Sequence, residues 1–336
     1  MNPKITYLLT TLMLLVGCDA NTPASLSFND VRNELKANNR VLDGHTKMDD
    51  IITLPFSEAY LARRHHLYGS VAVDVLTQAQ QQELEFLQIQ ERYPERFLPW
   101  PVQVNMLENL GTNNEKLAAW SHLVQTRLQQ AIDSKIYLSR YERDRLLRYI
   151  TTTTPQVGSI VSLETYLDTY KPRTALGLYQ LPNGKEWYQS KLNYYYGLTK
   201  APSKTLNVVQ QALASQGKKS SIDIDDSNGR HFTLHYLQAH CQLINGLNWI
   251  DSYINLPETA RHCAFSIKPD TKHLILALME IDLGIHYQGW SHKQASVTLQ
   301  ARIKLVDEQT AALIESVLLY PGSIFSLANI AGFNSL

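Results

Sequence analysis

The strongest constraint on the fold is a spacing of three and four residues between apolar side chains that recurs along most of the chain. Between Asn114 and Lys135, the residues Leu117, Trp120, Leu123, Val124, Leu128, Ala131 and Ile132 fall on one face of a helix, while Glu, Gln, Lys and Arg take the other. Similar stripes run over Ser57 to Tyr68, Thr77 to Arg92, Tyr141 to Ile150, Glu186 to Tyr196 and Ser203 to Ser215, with Gly217 placed to stop the last. Ser291 and Gln294 have the spacing of a capping box and open a helix to about Leu305; another runs from Asp307 to Leu319, before Pro321-Gly322. Breaks fall at Tyr93 to Pro101, Thr151 to Pro155, Leu181 to Gly184 and Gly217 to Gly229. Ser159 to Leu163 and Ile222 to Ile224 are the candidates for brief strands. The fold class that follows is mainly α, a multi-helix domain with few or no strands.

The N-terminus departs from this pattern. Lys4 supplies a positive charge, Tyr7 to Val16 an apolar run and Val16-Gly17 a small-residue approach to cleavage, the three parts of an export signal. The run is about ten residues, half of the roughly twenty that span a bilayer. Leu15-Val16-Gly17-Cys18 resembles a bacterial lipobox, in which the cysteine is acylated, with a palmitate-type chain, before the signal is removed. The expected organisation is a signal peptide at 1–17, a lipidated tether at 18–25 and a helical domain at 26–336, with the lipid bilayer as first partner. The alternative is an uncleaved apolar tail with a chance cysteine. Asp19 resembles the sorting signal that keeps such lipoproteins on the periplasmic side of the inner membrane rather than sending them to the outer one.

Composition narrows the rest. Lys plus Arg and Asp plus Glu number 31 each, and no basic stripe is present, which argues against nucleic acid as a partner. The apolar stretch Leu274 to Met279 is too short to cross a membrane. With Cys18 consumed by lipid, Cys241 and Cys263 remain in an oxidising compartment and are expected to form a disulfide bond; closing a loop of about 22 residues contributes roughly 3 kcal/mol in the chain-entropy model. Two separate buried thiols are the alternative.

Two blocks carry a resemblance. The first is Gly177-Leu178-Tyr179-Gln180-Leu181-Pro182-Asn183-Gly184-Lys185-Glu186-Trp187-Tyr188, followed by Tyr196-Gly197-Leu198-Thr199. The second is Asp282-Leu283-Gly284-Ile285-His286 with Gly289-Trp290-Ser291, then Tyr320-Pro321-Gly322. Over about 177–213 and 276–322 the chain resembles domain-of-unknown-function family 885, whose better-known members look like helical zinc metallopeptidases. The resemblance implies a metallopeptidase-like helical architecture with a groove. It also implies what is missing, for the family's His-Glu-x-x-Pro-Gly-His-His string does not occur. Leu278 stands where the pattern has an arginine, and Leu327 where it has a tyrosine suited to an oxyanion. The nearest metal candidates are His231, His235 and His240 beside Cys241, but Phe232 holds the place of the catalytic glutamate. Asp223 to Gly229 looks like a calcium loop without its closing glutamate, Leu234 standing there instead. No Gly-x-Ser-x-Gly elbow, Walker loop or dinucleotide fingerprint is present.

The reading that follows is a non-catalytic, metallopeptidase-like envelope lipoprotein, a pseudoenzyme without catalytic residues or cofactor, whose groove binds a peptide or an envelope protein. The groove is expected to bring together Tyr179, Trp187, Tyr188, Tyr195, Tyr196, His286, Tyr287 and Trp290, at least three of them partly open to one concavity; the alternative is that these aromatics fill the core between helices. Gly184 is expected to take a positive φ in the Pro182-Asn183-Gly184 turn. Asp282 and His286, four apart, can meet side by side on one helix, where the histidine could polarise a carbonyl in an active enzyme; the alternatives are a helix-stabilising pair or a Gly-flanked helix end. The alternatives are an active metal-dependent peptidase with an unrecognised histidine site, which would need zinc, and an envelope scaffold.

Overall fold

The computed structural model describes residues 26–39, 54, 57–92, 114–153, 158–216, 232–240, 260 and 268–333. Cys18, Asp19, His231, Cys241 and Cys263 lie outside the described residues, as do 217–230 with the strand candidate Ile222 to Ile224 and the calcium-like stretch. The side chains of His235 and His240 also lie outside what is described.

Among the described residues the fold is mainly α. The helices are α1 (Phe28–Asn39), α2 (Glu58–Gly69), α3 (Gln78–Arg92), α4 (Asn114–Asp133), α5 (Arg140–Thr153), α6 (Gly158–Thr169), α7 (Gly184–Tyr196), α8 (Pro202–Gln216), α9 (Phe232–His240), α10 (Pro269–His286), α11 (His292–Arg302) and α12 (Asp307–Leu319). Short 3-10 turns lie at Val73–Val75, Leu178–Gln180 and Ser323–Leu327. The extended pairings described are isolated bridges, Leu26 with Val71 and Ser139 with Arg173. No described helix is long and apolar enough to cross a membrane.

Helix starts follow local chemistry. The Ser57 hydroxyl accepts from the Tyr60 amide at the start of α2, and Ser291 with Gln294 forms a reciprocal capping box on α11. Helix α11 stops at Arg302, short of the expected Leu305, because Ile303 turns to extended backbone at φ −137° and buries its side chain in the core. The predicted strand Ser159 to Leu163 is instead part of α6. Its Ile160 and Leu163, with Leu167, lie on one helical face and are fully buried where α6 packs on α4, so tertiary packing overrides the β preference of Ile160 and Val161.

Helix α10 is the axis of the C-terminal half. Every side chain from His273 to His286 is buried, as befits a helix surrounded by others, and α8, α11, α12 and the Ser323–Leu327 turn pack against it. Its buried Glu280 accepts two hydrogen bonds from Arg302, at 2.8 and 2.9 Å, and one from Gln210 at 3.0 Å. That fork ties α8 and α11 to the axis at a defined rotation; the net contribution of such a pair to stability is small, while breaking it strands a charge.

Candidate functional site

The two motif blocks meet, despite about a hundred intervening residues. The site is assembled by α7, the C-terminal half of α10, the turn Leu178–Gln180 and the Tyr320-Pro321-Gly322 corner. Its closeness depends on Gly184, where a β-carbon would stand 1.8 Å from the Leu178 carbonyl oxygen. Gly184 is the first residue of α7, and the left-handed position of the turn is taken by Asn183 at φ 53°, not by Gly184 as expected. Asparagine tolerates that region, so the glycine is spent on contact rather than on dihedral freedom.

At the centre sits Asp282, completely buried. One carboxylate oxygen accepts from the Tyr188 hydroxyl at 2.6 Å and the other from the Gly322 amide at 2.8 Å. Burial pushes its pKa up to about 7, against the lowering pull of those two bonds and of the Lys191 ammonium. Lys191, also buried, is pushed down to about 7 by the same loss of water, with Asp282 pulling it back up. Its ammonium faces the rings of Phe86 and Trp187 at 5.2 and 5.1 Å. The Tyr188 pKa is raised by burial and by the neighbouring carboxylate, so the hydroxyl remains a donor.

His286 does not meet Asp282 side by side. Its Nδ1 accepts from the Leu178 amide at 3.3 Å, which obliges Nε2 to carry the proton and donate to the Val317 carbonyl at 3.1 Å. Burial lowers its pKa to about 3, leaving a neutral imidazole. The pair is resolved into two clasps. Asp282 binds α7 and the Gly322 corner, whereas His286 binds the Leu178 turn and α12. Both side chains are spent on holding elements together.

The aromatic residues divide. Trp187, Tyr188, Tyr195, Tyr196 and His286 are sealed in the core and do not line an open groove. The reason is that α7 is packed from both sides: Phe86 of α3 stacks on Tyr194 at 4.5 Å and meets Tyr195 edge-on at 5.8 Å, while Phe325 and Phe333 meet Tyr196 at 5.9 Å. Tyr179, Tyr287 and Trp290 remain half-buried. Trp290 lies over Gly284, where a β-carbon would come within 2.1 Å of the indole, and the Tyr179 ring comes within 3.0 Å of the corresponding point at Gly289. A void of about 10 Å³ beside Asp282, bounded by Phe232, Thr233, Leu278, Ser316 and Ser323, has room for one water. Leu278 is thus a void-lining core residue, and Leu327 is fully buried.

No group of three or more His, Cys, Asp or Glu that could hold a metal ion occurs among the described residues. Asp282 and His286 have their polar atoms engaged within the protein, and the metal candidates His231, His235 and His240 fall outside the side chains described. Lys191 was not singled out from sequence. Its signal was nonetheless present, for it falls on the stripe Gly184, Trp187, Tyr188, Lys191, Tyr195, a lysine in a core position. Searches of family models, of curated proteins and of solved structures find no match to this chain.

Proposed function

We propose that the chain is a bacterial envelope lipoprotein, held through Cys18 on the periplasmic side of the inner membrane, whose helical domain binds an extended peptide segment of a partner without cleaving it. The observation that carries this reading is that the Tyr179 ring of the first motif block comes against Gly289, next to Trp290 in the second, and that Tyr179, Tyr287 and Trp290 are all only half-buried. Rings of this kind bury much area at low entropic cost, and their polar edges orient a peptide backbone. Against catalysis stands the use of Asp282 and His286, whose polar atoms are all bonded within the protein. A photo-crosslinking residue placed at 179 or 287 of the lipidated chain in cells is expected to give a discrete adduct, lost on Trp290→Ala with helicity unchanged. Adducts that also form at Val161, an exposed residue of α6, or none at all, defeat the binding reading. One zinc per purified chain, lost together with peptidase activity on chelation, defeats the non-catalytic part.

A further inference from the structure

The point where the chain enters the domain is defined. The Leu26 amide donates to the Ser70 carbonyl at 2.9 Å, and Leu26 pairs in parallel with Val71. Two residues beyond Val71 begins the 3-10 turn Val73–Val75, whose valines are 55% and 78% exposed. Leu26 is itself 36% exposed, so this corner gathers three of the six large apolar side chains found exposed among the described residues; the others are on α6, in α11 and just before α12. The turn is not a frayed piece of core. Val71 before it and Leu76 after it are buried, and the Leu76 amide donates to the Val73 carbonyl at 3.2 Å, so the two ends are pinned and the apolar tip is held outward.

The tether limits what this corner can meet. From Cys18 to Leu26 there are eight residue steps, at most about 28 Å when fully extended. A domain the size of residues 26–336 has a radius of gyration of about 20 Å, hence a diameter near 50 Å. A lipid on Cys18 therefore keeps Leu26 closer to the bilayer than the domain is wide. We infer that the corner formed by Leu26 and the Val73–Val75 turn is the membrane-facing surface of the domain, with Val73 and Val75 seated in the boundary between headgroups and acyl chains. This rests on the lipid attachment proposed above. Asp74, exposed between the two valines, sets the depth, because its carboxylate must stay at headgroup level; the contact is shallow and interfacial.

The test uses the lipidated full-length chain in vesicles of phosphatidylethanolamine and phosphatidylglycerol with brominated acyl chains, which quench nearby tryptophan. Val75→Trp adds a reporter at the turn, and Val297→Trp adds one at another exposed valine, on α11. The emission added by Val75→Trp is expected to fall about twofold on moving from ordinary to brominated lipid, and that added by Val297→Trp to stay unchanged. Intact mass and vesicle flotation separate the two layers of the inference. A chain without acyl mass at Cys18, or a Cys18→Ser chain that floats as well as the wild type, overturns the anchor. An acylated, floating chain whose Val75→Trp emission is quenched no more than Val297→Trp overturns the membrane-facing surface and leaves the anchor standing. Absent quenching together with a dimer that Val73→Asp/Val75→Asp dissociates would reassign the corner to a contact between copies.

Discussion

Tyr188→Phe and Asp282→Asn, made singly and together, measure the bond on which the buried site turns. The Tyr188 hydroxyl donates to Asp282 at 2.6 Å in a buried site, and a hydrogen bond to a charged group contributes about 1.5–3 kcal/mol. Tyr188→Phe keeps the ring against His286, 5.7 Å between centroids, so the loss is confined to the donor, and a destabilisation of about 2 kcal/mol is expected. Asp282→Asn keeps an acceptor for the Gly322 amide but presents an NH₂ to Tyr188 and removes the charge beside Lys191; about 2 kcal/mol is expected again. Because both changes strike one bond, the double variant should fall short of the sum by about 1–2 kcal/mol. Urea unfolding of the Cys18→Ser chain at pH 7.5, followed by far-ultraviolet circular dichroism, reads all three. A Tyr188→Phe cost under about 0.5 kcal/mol, or single effects that add to within about 0.3 kcal/mol, refutes the claim that this bond ties α7 to α10.

Gly184→Ala drives a β-carbon against the Leu178 carbonyl, whose residue His286 holds in place, and should cost about 2–3 kcal/mol, whereas Gly69→Ala, with open space at the end of α2, should be neutral or gain up to about 1 kcal/mol; thermal melts compare them. His286 has a folded pKa depressed to about 3 from 6.5, so its contribution to stability is present above pH 6.5 and lost as the pH falls through 3; His286→Gln should flatten the stability slope between pH 6.5 and 4, and an unchanged slope contradicts the burial argument. Arg302→Met leaves Glu280 charged and buried and should cost about 3–5 kcal/mol in equilibrium unfolding, with much of the loss recovered by adding Glu280→Met. Mass mapping of the exported, nonreduced protein should find Cys241 joined to Cys263, and two free thiols would contradict the pairing.

Much of the helical layout was legible from side-chain spacing alone. The stripe in α4 predicts a buried face, and Leu117, Trp120, Val124, Leu128 and Ala131 are buried there. Ser57, Ser291 and the Pro321-Gly322 break mark helix ends because capping and chain reversal depend on neighbours within a turn. The miss at Ser159 to Leu163 has the same root from the other side, since a short apolar segment with Ile160 and Val161 at its centre reads as a strand until α4 presents a surface that accepts one helical face. For the site, the pattern pointed to Asp282 and His286 but paired them with each other, because sequence distance is the only distance a sequence shows.

What the sequence by itself determined here is the helical class, the positions of many helices and the two segments that carry the site, because propensity, capping and amphipathic period are local and act within a few residues. What only the tertiary structure decided is which side of each residue faces another element. Trp187, Tyr188, Tyr195 and Tyr196 look like groove aromatics along the chain, yet the packing of α3 on one flank and of Phe325 and Phe333 on the other seals them, while Tyr179, Tyr287 and Trp290 stay at the surface. Burial likewise turned Lys191 and Asp282 into a desolvated pair and fixed the tautomer of His286. Solvent exclusion is a property of the assembled elements, and the free energy of a charge depends on it more than on any neighbour in sequence.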